Sequence, residues 1–445
     1  MRNRIIRLEP TATMNSGQEP TGEATENSGS LPVLAILSLV VGVGTGLVVA
    51  VFRLSLVRAD HLRGALIAWA HGWPAGWFFV IAVCAAATSV AAWLVRRFSP
   101  QASGSGIPHV EAVLKGELPP APISLIPVKF FGGLLAIGSG LALGREGPSV
   151  QLGADIAYLV GRIFGRGWPD CRMLLAAGAG AGLATAFNAP IAGAVFVLEE
   201  LTRRFDTRMT IATFGASAAS IAMACFLVGH SPDFQLEPMD YAGSGVLPVF
   251  LVLGLVSGLL GVVYNRAIMG TLLAAGQLRR WPVELRAAIV GGAVGLLAWF
   301  APGLAGGGDA LTQRALTGTG GLALLLLIFV LRFGLGPLSY AAGTPGGLFA
   351  PLLVLGAQSG LCFGTVCLGW LPTIAARPAA FAVTGMAAFF TAVVRAPLTG
   401  IILAIELTGG HTQLLPMLGA CFTAMLVPTL LGNPPIYDSL RRSNP

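Results

Sequence analysis

Charge is scarce in this 445-residue sequence: Asp, Glu, Lys and Arg together make up 11% of it, against roughly 25% in an ordinary soluble domain. A water-soluble protein of this composition would lack enough charged surface. There is no HExxH and no zinc-finger spacing, and the five histidines form no metal set, with His61, His71 and His230 near loops or span ends. The six cysteines (84, 171, 225, 362, 367 and 421) include no CxxC and lie almost all in apolar runs, so they read as small buried hydrophobes. No basic stripe interleaved with aromatics is present, which excludes a nucleic-acid surface. The net charge of +7 and pI near 9.4 then reflect Lys and Arg at the cytoplasmic edges of a membrane. A signal peptide is missing too, because no apolar core follows directly on Arg2, Arg4 and Arg7. Residues 1–30, rich in Gly, Ser, Thr and Glu, read as a disordered cytoplasmic tail.

Hydrophobic residues, by contrast, make up 55% of the chain, with 60 glycines, 29 prolines and a mean hydropathy of +0.77. Leu31–Phe52 is long enough to cross a hydrocarbon core of about 30 Å. Further apolar runs follow near 73–95, 121–143, 173–198, 209–228, 245–264, 287–301, 321–331, 348–363, 378–394 and 412–431. Several are too short for a simple span, and many are broken by Gly or Pro, as at Gly144, Gly147 and Pro148 or at Gly343, Pro345, Gly346 and Gly347. Backbone leaves the helix at membrane depth only where protein or a water-filled cavity satisfies its polar groups. Short, interrupted segments in corresponding halves therefore predict a transport site.

The halves do correspond. Gly144–Gly153 and Gly347–Gly356 share the pattern GxxxPxxxLG at an offset of 203 positions. Ala189-Pro190, Gly193 and Glu199 match Ala396-Pro397, Gly400 and Glu406 at an offset of 207, which Gly178 and Gly385 share. We read an internal duplication over about 31–210 and 242–410. Similarity alone does not say whether the copies are inverted or parallel. Arg96-Arg97, Arg203-Arg204 with Arg208, Arg279-Arg280 with Arg286, and Arg441-Arg442 flank apolar runs, which places these edges and both termini in the cytoplasm. The stretch Gly229–Gly243 has no Lys or Arg and fits an external loop.

Five features could carry chemistry. In Gly144-Arg145-Glu146-Gly147-Pro148 an acid stands between glycines in an apolar setting, where it is expensive unless it faces a cavity or a partner. Amides at a helix start can hold an anion without a full positive charge, and Glu146 could occupy the anion's place when ionised and leave it when protonated. The competing reading is a structural Glu146–Arg145 pair. In Gly104-Ser105-Gly106-Ile107-Pro108 a hydroxyl between glycines can donate to an anion; a turn or cap is the alternative, and a nucleophile elbow would need Gly at position 103, which is Ser103. Gly346-Gly347-Leu348-Phe349-Ala350-Pro351 repeats the glycine–helix-start design, offering the amides of Leu348 and Phe349 or a packing motif. Glu199 has a counterpart in Glu406 and fits a structural role common to both halves. Glu200 faces Leu407 in that alignment, so it suits a duty done once per chain, such as taking up a proton, or else it is a solvated helix end beside Arg203 and Arg204. Tyr437, after the last apolar run, is a ligand or an interfacial tyrosine.

Ser105-Gly-Ile-Pro108, Gly144-Arg-Glu-Gly-Pro148, Gly347-Leu-Phe-Ala-Pro351 and the late Tyr437 together resemble the chloride channel/transporter (CLC) superfamily, from about Leu31 to Tyr437. The resemblance implies an all-α polytopic membrane protein of two inverted-topology repeats, with broken helices meeting near the membrane midplane. It implies a homodimer with a separate ion pathway in each subunit. Glu146 then resembles the external gating glutamate, and Ser105 and Tyr437 the inner anion-coordinating side chains. Leu348 and Phe349 match the positions whose amides hold the central anion, and Glu200 the internal proton-transfer acid of the exchangers. Lys129 matches a basic position of electrostatic character. His109 stands where bacterial relatives often have Glu. Ser105 fits the chloride-type pattern, since nitrate-preferring relatives carry proline there. The sequence closes soon after Tyr437, so no pair of cystathionine-β-synthase-type domains is expected after 31–440. The function implied is exchange of chloride for protons in a bacterial inner membrane, without cofactor or metal, and the alternative is a passive chloride channel on the same fold.

Overall fold

The computed structural model describes residues 30–229, 233–236, 244–278, 280–318, 320–370 and 377–443. All but the last residue of the tail expected over 1–30, most of the polar stretch 229–243, including His230, and Arg279 lie outside the described residues. Among the described residues the chain is helical, with no strand. The first half runs α1 (Leu31–Ala70), α2 (Gly76–Phe98), α3 (Ile107–Leu114), α4 (Leu125–Gly138), α5 (Glu146–Ile163), α6 (Trp168–Phe187), α7 (Pro190–Phe196) and α8 (Thr207–Val228). The second repeats that order as α9 (Leu247–Gln277), α10 (Val283–Phe300), α11 (Asp309–Leu316), α12 (Leu322–Tyr340), α13 (Phe349–Trp370), α14 (Pro378–Val394), α15 (Pro397–Thr408) and α16 (Leu414–Leu430). A last helix, α17 (Ile436–Ser443), follows.

Seven of these helices are long and apolar enough to cross a bilayer: α1, α2, α8, α9, α10, α12 and α13. The outward-facing residues are apolar, with Phe226, Phe300 and Trp370 among the most exposed, as a surface in contact with lipid requires. Two helices outrun their apolar stretches for the same reason. In α1 the chain stays helical beyond Phe52 because Arg53 pairs with Asp233, and Arg63 with Asp60 and the Gly138 carbonyl. In α12 the helix passes through Arg332, which is buried but donates to the carbonyls of Leu304, Gly306 and Gly307. A hydropathy reading stops at each arginine, whereas the folded chain supplies its partners. The opposite happens at 173–198, one apolar run but two helices: α6 ends at Asn188, whose left-handed φ of 52° turns the chain into Pro190.

The duplication is visible as reciprocal contacts. α1 packs on α8 as α9 packs on α16, and α5 on α6 as α13 on α14. Gly144 and Gly347 exchange backbone hydrogen bonds in an antiparallel bridge, 2.8 Å one way and 2.7 Å the other. Glu199 accepts from the amides of Leu398 and Thr399 at the start of α15, and Glu406 accepts from those of Ile191 and Ala192 at the start of α7. Such exchange between equivalent positions is what a local two-fold produces. Each half contributes a helix that begins inside the molecule, α5 and α13 starting just after the Gly144–Gly347 bridge.

Candidate functional site

The site is assembled from helix starts. Before α3 the chain turns twice in three residues, with Gly104 and Gly106 at φ of +62° and +82°, a conformation glycine adopts without strain. A Cβ on Gly106 would lie 2.1 Å from Gln151 Oε1, so space also demands glycine there. Ser105, between them, is fully buried. Lys129 of α4 donates its ammonium to the carbonyls of Ala102 (3.0 Å) and Gly104 (2.8 Å), and Tyr340 at the end of α12 accepts from the Ser105 amide at 3.3 Å. The loop is thus fixed by two side chains, yet the Ser105 hydroxyl itself has no hydrogen-bond partner among the described residues. Tyr437, in the first turn of α17, is equally buried. Its ring stacks on Phe349 at 6.2 Å, and its hydroxyl, which lies close to Ser105, is also unpartnered. A buried donor left unpaired costs about 1–3 kcal/mol; two converging hydroxyls are a donor pair suited to an anion.

Glu146 approaches from α5. It is 1% exposed, folds its carboxylate back over Gly144, where a Cβ would stand 1.9 Å from Oε2, and accepts from the Ala350 amide at 3.4 Å. Its carboxylate therefore rests on the start of α13, where the N–H groups of Leu348 and Phe349 have no backbone acceptor among the described residues. The first amides of any helix lack internal partners. The Phe349 ring is enclosed by Phe187, Phe196, Phe390 and Tyr437 at 4.8–6.2 Å between centroids, which keeps water from these amides. Arg145 turns away from its neighbour, to Asp233 (2.8 Å), Asp309 (3.4 Å) and the Ala186 carbonyl (3.0 Å). The Glu146–Arg145 pair considered above is not formed. Chemically, an ionised Glu146 and a free anion would compete for the same helix start.

Glu199 and Glu200 separate as their sequence positions suggest. They sit in a π-helical turn, Val197–Leu201, that continues α7. Glu199 holds the start of α15, adding the Thr399 hydroxyl at 2.7 Å to its two amides. Glu200 is 3% exposed, Oε1 has no hydrogen bond, and the nearest cation is Arg203 at 3.8 Å. Arg204 makes no contact with it. Both acids line a half-open cavity of about 520 Å³ together with Arg203, Phe205, Arg395 and Pro435. Ser105, Glu146, Leu348, Phe349 and Tyr437 thus come together, and Glu200 stands at the wall of the cavity beside Arg203.

Three positioning contacts are missing from a sequence reading. Tyr340 ends an apolar run, where an interfacial tyrosine is expected, and its grip on the Ser105 amide has no local signal. Gln151 lies in the shared pattern, but at a position where the other half has Val354. Arg203, an ordinary basic flank by pattern, binds Asp438 beside Tyr437 at 3.2 Å. His109 meets Gln151, 3.5 Å between side-chain nitrogens, and touches none of the five converging groups.

Seven long apolar helices, broken helices meeting inside the molecule, and a site made of helix starts and neutral hydroxyls define a membrane ion-transport protein. A family model described as voltage gated chloride channel matches residues 84–429, and the chain belongs to that family. It is 38% identical over 426 residues to the H(+)/Cl(-) exchange transporter ClcA of Vibrio parahaemolyticus, covering 93% of this chain and 90% of that protein. It is 39% identical over 415 residues to ClcA of Vibrio cholerae, covering 91% and 88%. Among solved structures it resembles a slow cyanobacterial Cl-/H+ antiporter with a TM-score of 0.88 and 31% identity, covering 92% of this chain and 97% of that one.

Proposed function

We propose that the chain exchanges chloride for protons across a bacterial inner membrane, as a secondary active transporter. The observation that supports this most directly is the carboxylate of Glu146 lying on the amide of Ala350, at the start of the helix whose Phe349 packs against the Tyr437 ring. Ionised, Glu146 holds the place of an anion. Protonated, it loses its attraction for the helix start and swings away, and chloride takes up the amides of Leu348 and Phe349 and the two hydroxyls. Fixed, aligned amides in a dry site carry most of that binding. Glu200, beside its own cavity, takes up the proton on the cytoplasmic side, so anion and proton part company there. A transient water chain spans the apolar gap between the two acids.

In this reading the unit comprises residues 31–440, with repeats over about 31–210 and 242–410. Both termini are cytoplasmic, because Arg441 and Arg442 close α17 and Arg203, Arg204 and Arg208 flank the Glu200 opening. The protein works as a homodimer with one pathway per subunit and uses no cofactor or metal. It performs no enzymatic step. Purified protein in liposomes, with chloride and proton movement recorded together under an imposed chloride gradient, tests the proposal. Exchange drives protons uphill; chloride flux with no proton movement would instead identify a passive channel.

A further inference from the structure

Tyr437 has a buried hydroxyl with no partner, so the height of that hydroxyl in the site is set by what holds α17. Two sets of contacts do so. Arg441 ties the helix to α3 and the turn after it, lying 3.8 Å from Glu111 and pairing with Glu117, and also stands 3.6 Å from Asp438. Asp438, adjacent to Tyr437 and 8% exposed, accepts from Arg203 Nη2 at 3.3 Å (Oδ1) and 3.2 Å (Oδ2). The same nitrogen stands 3.8 Å from Glu200 Oε1. One guanidinium is therefore shared between the acid at the cavity wall and the acid next to the coordinating tyrosine. Arg203 reaches both from a left-handed backbone, φ 51°, a conformation that costs a non-glycine residue energy and persists where surrounding contacts over-determine it.

We propose that Arg203 and Asp438 are positioning residues that convey the charge on Glu200 to the hydroxyl of Tyr437. With Glu200 ionised, Arg203 is drawn toward two carboxylates. With Glu200 protonated, one pull is removed and the guanidinium closes on Asp438, moving the first turn of α17. Proton occupancy of the inner acid thereby changes how well Tyr437 donates to the anion. This rests on the reading of Glu200 as the inner proton acid. The other charged groups facing Glu200 are Glu199 on its own turn, Glu111 on α3 with its partners Lys115 and Arg441, Asp438 on α17, and Arg395 across the cavity. Glu111 is held by Lys115 at 2.5 Å, and Glu199 by α15; neither touches Tyr437.

The test is calorimetric chloride binding to the full chain across the range in which carboxylates titrate, in an Glu146→Gln background that removes the gate's own titration. There, chloride affinity is expected to vary with pH by about two- to tenfold, the worth of one hydrogen bond, and adding Glu200→Gln should flatten that profile. Adding Asp438→Asn or Arg203→Gln should flatten it as well while chloride still binds. Arg203→Lys, which keeps the charge but loses the fork, should retain part of the slope. Arg203 is half-exposed, so its replacement opens no core cavity if Asp438→Asn fails to fold. An unchanged slope in Arg203→Gln, with Glu200→Gln flat, overturns the relay and leaves the role of Glu200 standing. A slope that survives Glu200→Gln, or no slope in the Glu146→Gln background, removes the basis of the relay altogether.

Discussion

Glu146 and Tyr437 separate the two kinds of side chain on which the account depends. Glu146→Gln keeps shape but not charge, and so imitates a permanently protonated gate. Anion flux should persist, lose the part of its pH dependence that titration of Glu146 imposes, and no longer move protons; absence of anion flux in folded protein would assign Glu146 to structure. Tyr437→Ala removes one neutral hydroxyl, worth about 0.5–1.5 kcal/mol, so chloride affinity measured by calorimetry should fall about two- to tenfold and proton coupling should loosen, while chloride still passes. Unchanged binding with intact coupling would contradict the assignment. Glu146 and Ser105 were legible in the sequence because each is a polar group beside glycines that permit close approach, and Glu200 because its counterpart is Leu407, whereas Leu348, Phe349 and Tyr437 were singled out by the family resemblance. Tyr340, Gln151, Arg203 and Asp438 were not legible, because their meaning lies in partners 42 to 235 positions away.

Helices in this fold start and stop inside the molecule, so their exposed backbone groups need distant partners. Glu199 and Glu406 meet that need reciprocally for α15 and α7. Hydrogen bonds to a charged group are worth about 1.5–3 kcal/mol, and glutamine keeps an acceptor while losing the charge. Glu199→Gln and Glu406→Gln should therefore each lower the thermal midpoint, read by fluorescence in detergent, and leave proton coupling intact in protein that folds. Coupling lost in either variant at unchanged stability would place a transport role on that acid. The shared offset of 207 positions announced this pair in the sequence. The helices themselves were less legible, since hydropathy ends α12 at Arg332 and fuses α6 with α7. Whether a buried charge is satisfied, or a run is cut by Asn188, is decided by tertiary contact.

Across the whole molecule, symmetric positions hold structure and asymmetric ones stand where the proposed chemistry lies. Gly144 pairs with Gly347. Lys129 and Arg332, 203 positions apart, each bind the carbonyls of the loop before α3 or α11. Asn188 and Arg395 end α6 and α14 in the same left-handed turn. Against this background Glu146 corresponds to Phe349 and Glu200 to Leu407. In the proposed mechanism one copy contributes the acids, while the other contributes amides and apolar walls. A proton needs a titratable relay, and an anion needs donors that do not titrate, so a duplicated frame with unlike residues can carry both in one subunit. Moving one elementary charge through the membrane potential is worth about 2.3 kcal/mol per 100 mV, so exchange should also respond to voltage. The most direct measurement imposes a chloride gradient on liposomes containing the Glu200→Gln protein and follows internal pH with the potential clamped. The account predicts chloride movement near the parent level with no uphill proton pumping; pumping at the parent rate would contradict the two-acid mechanism.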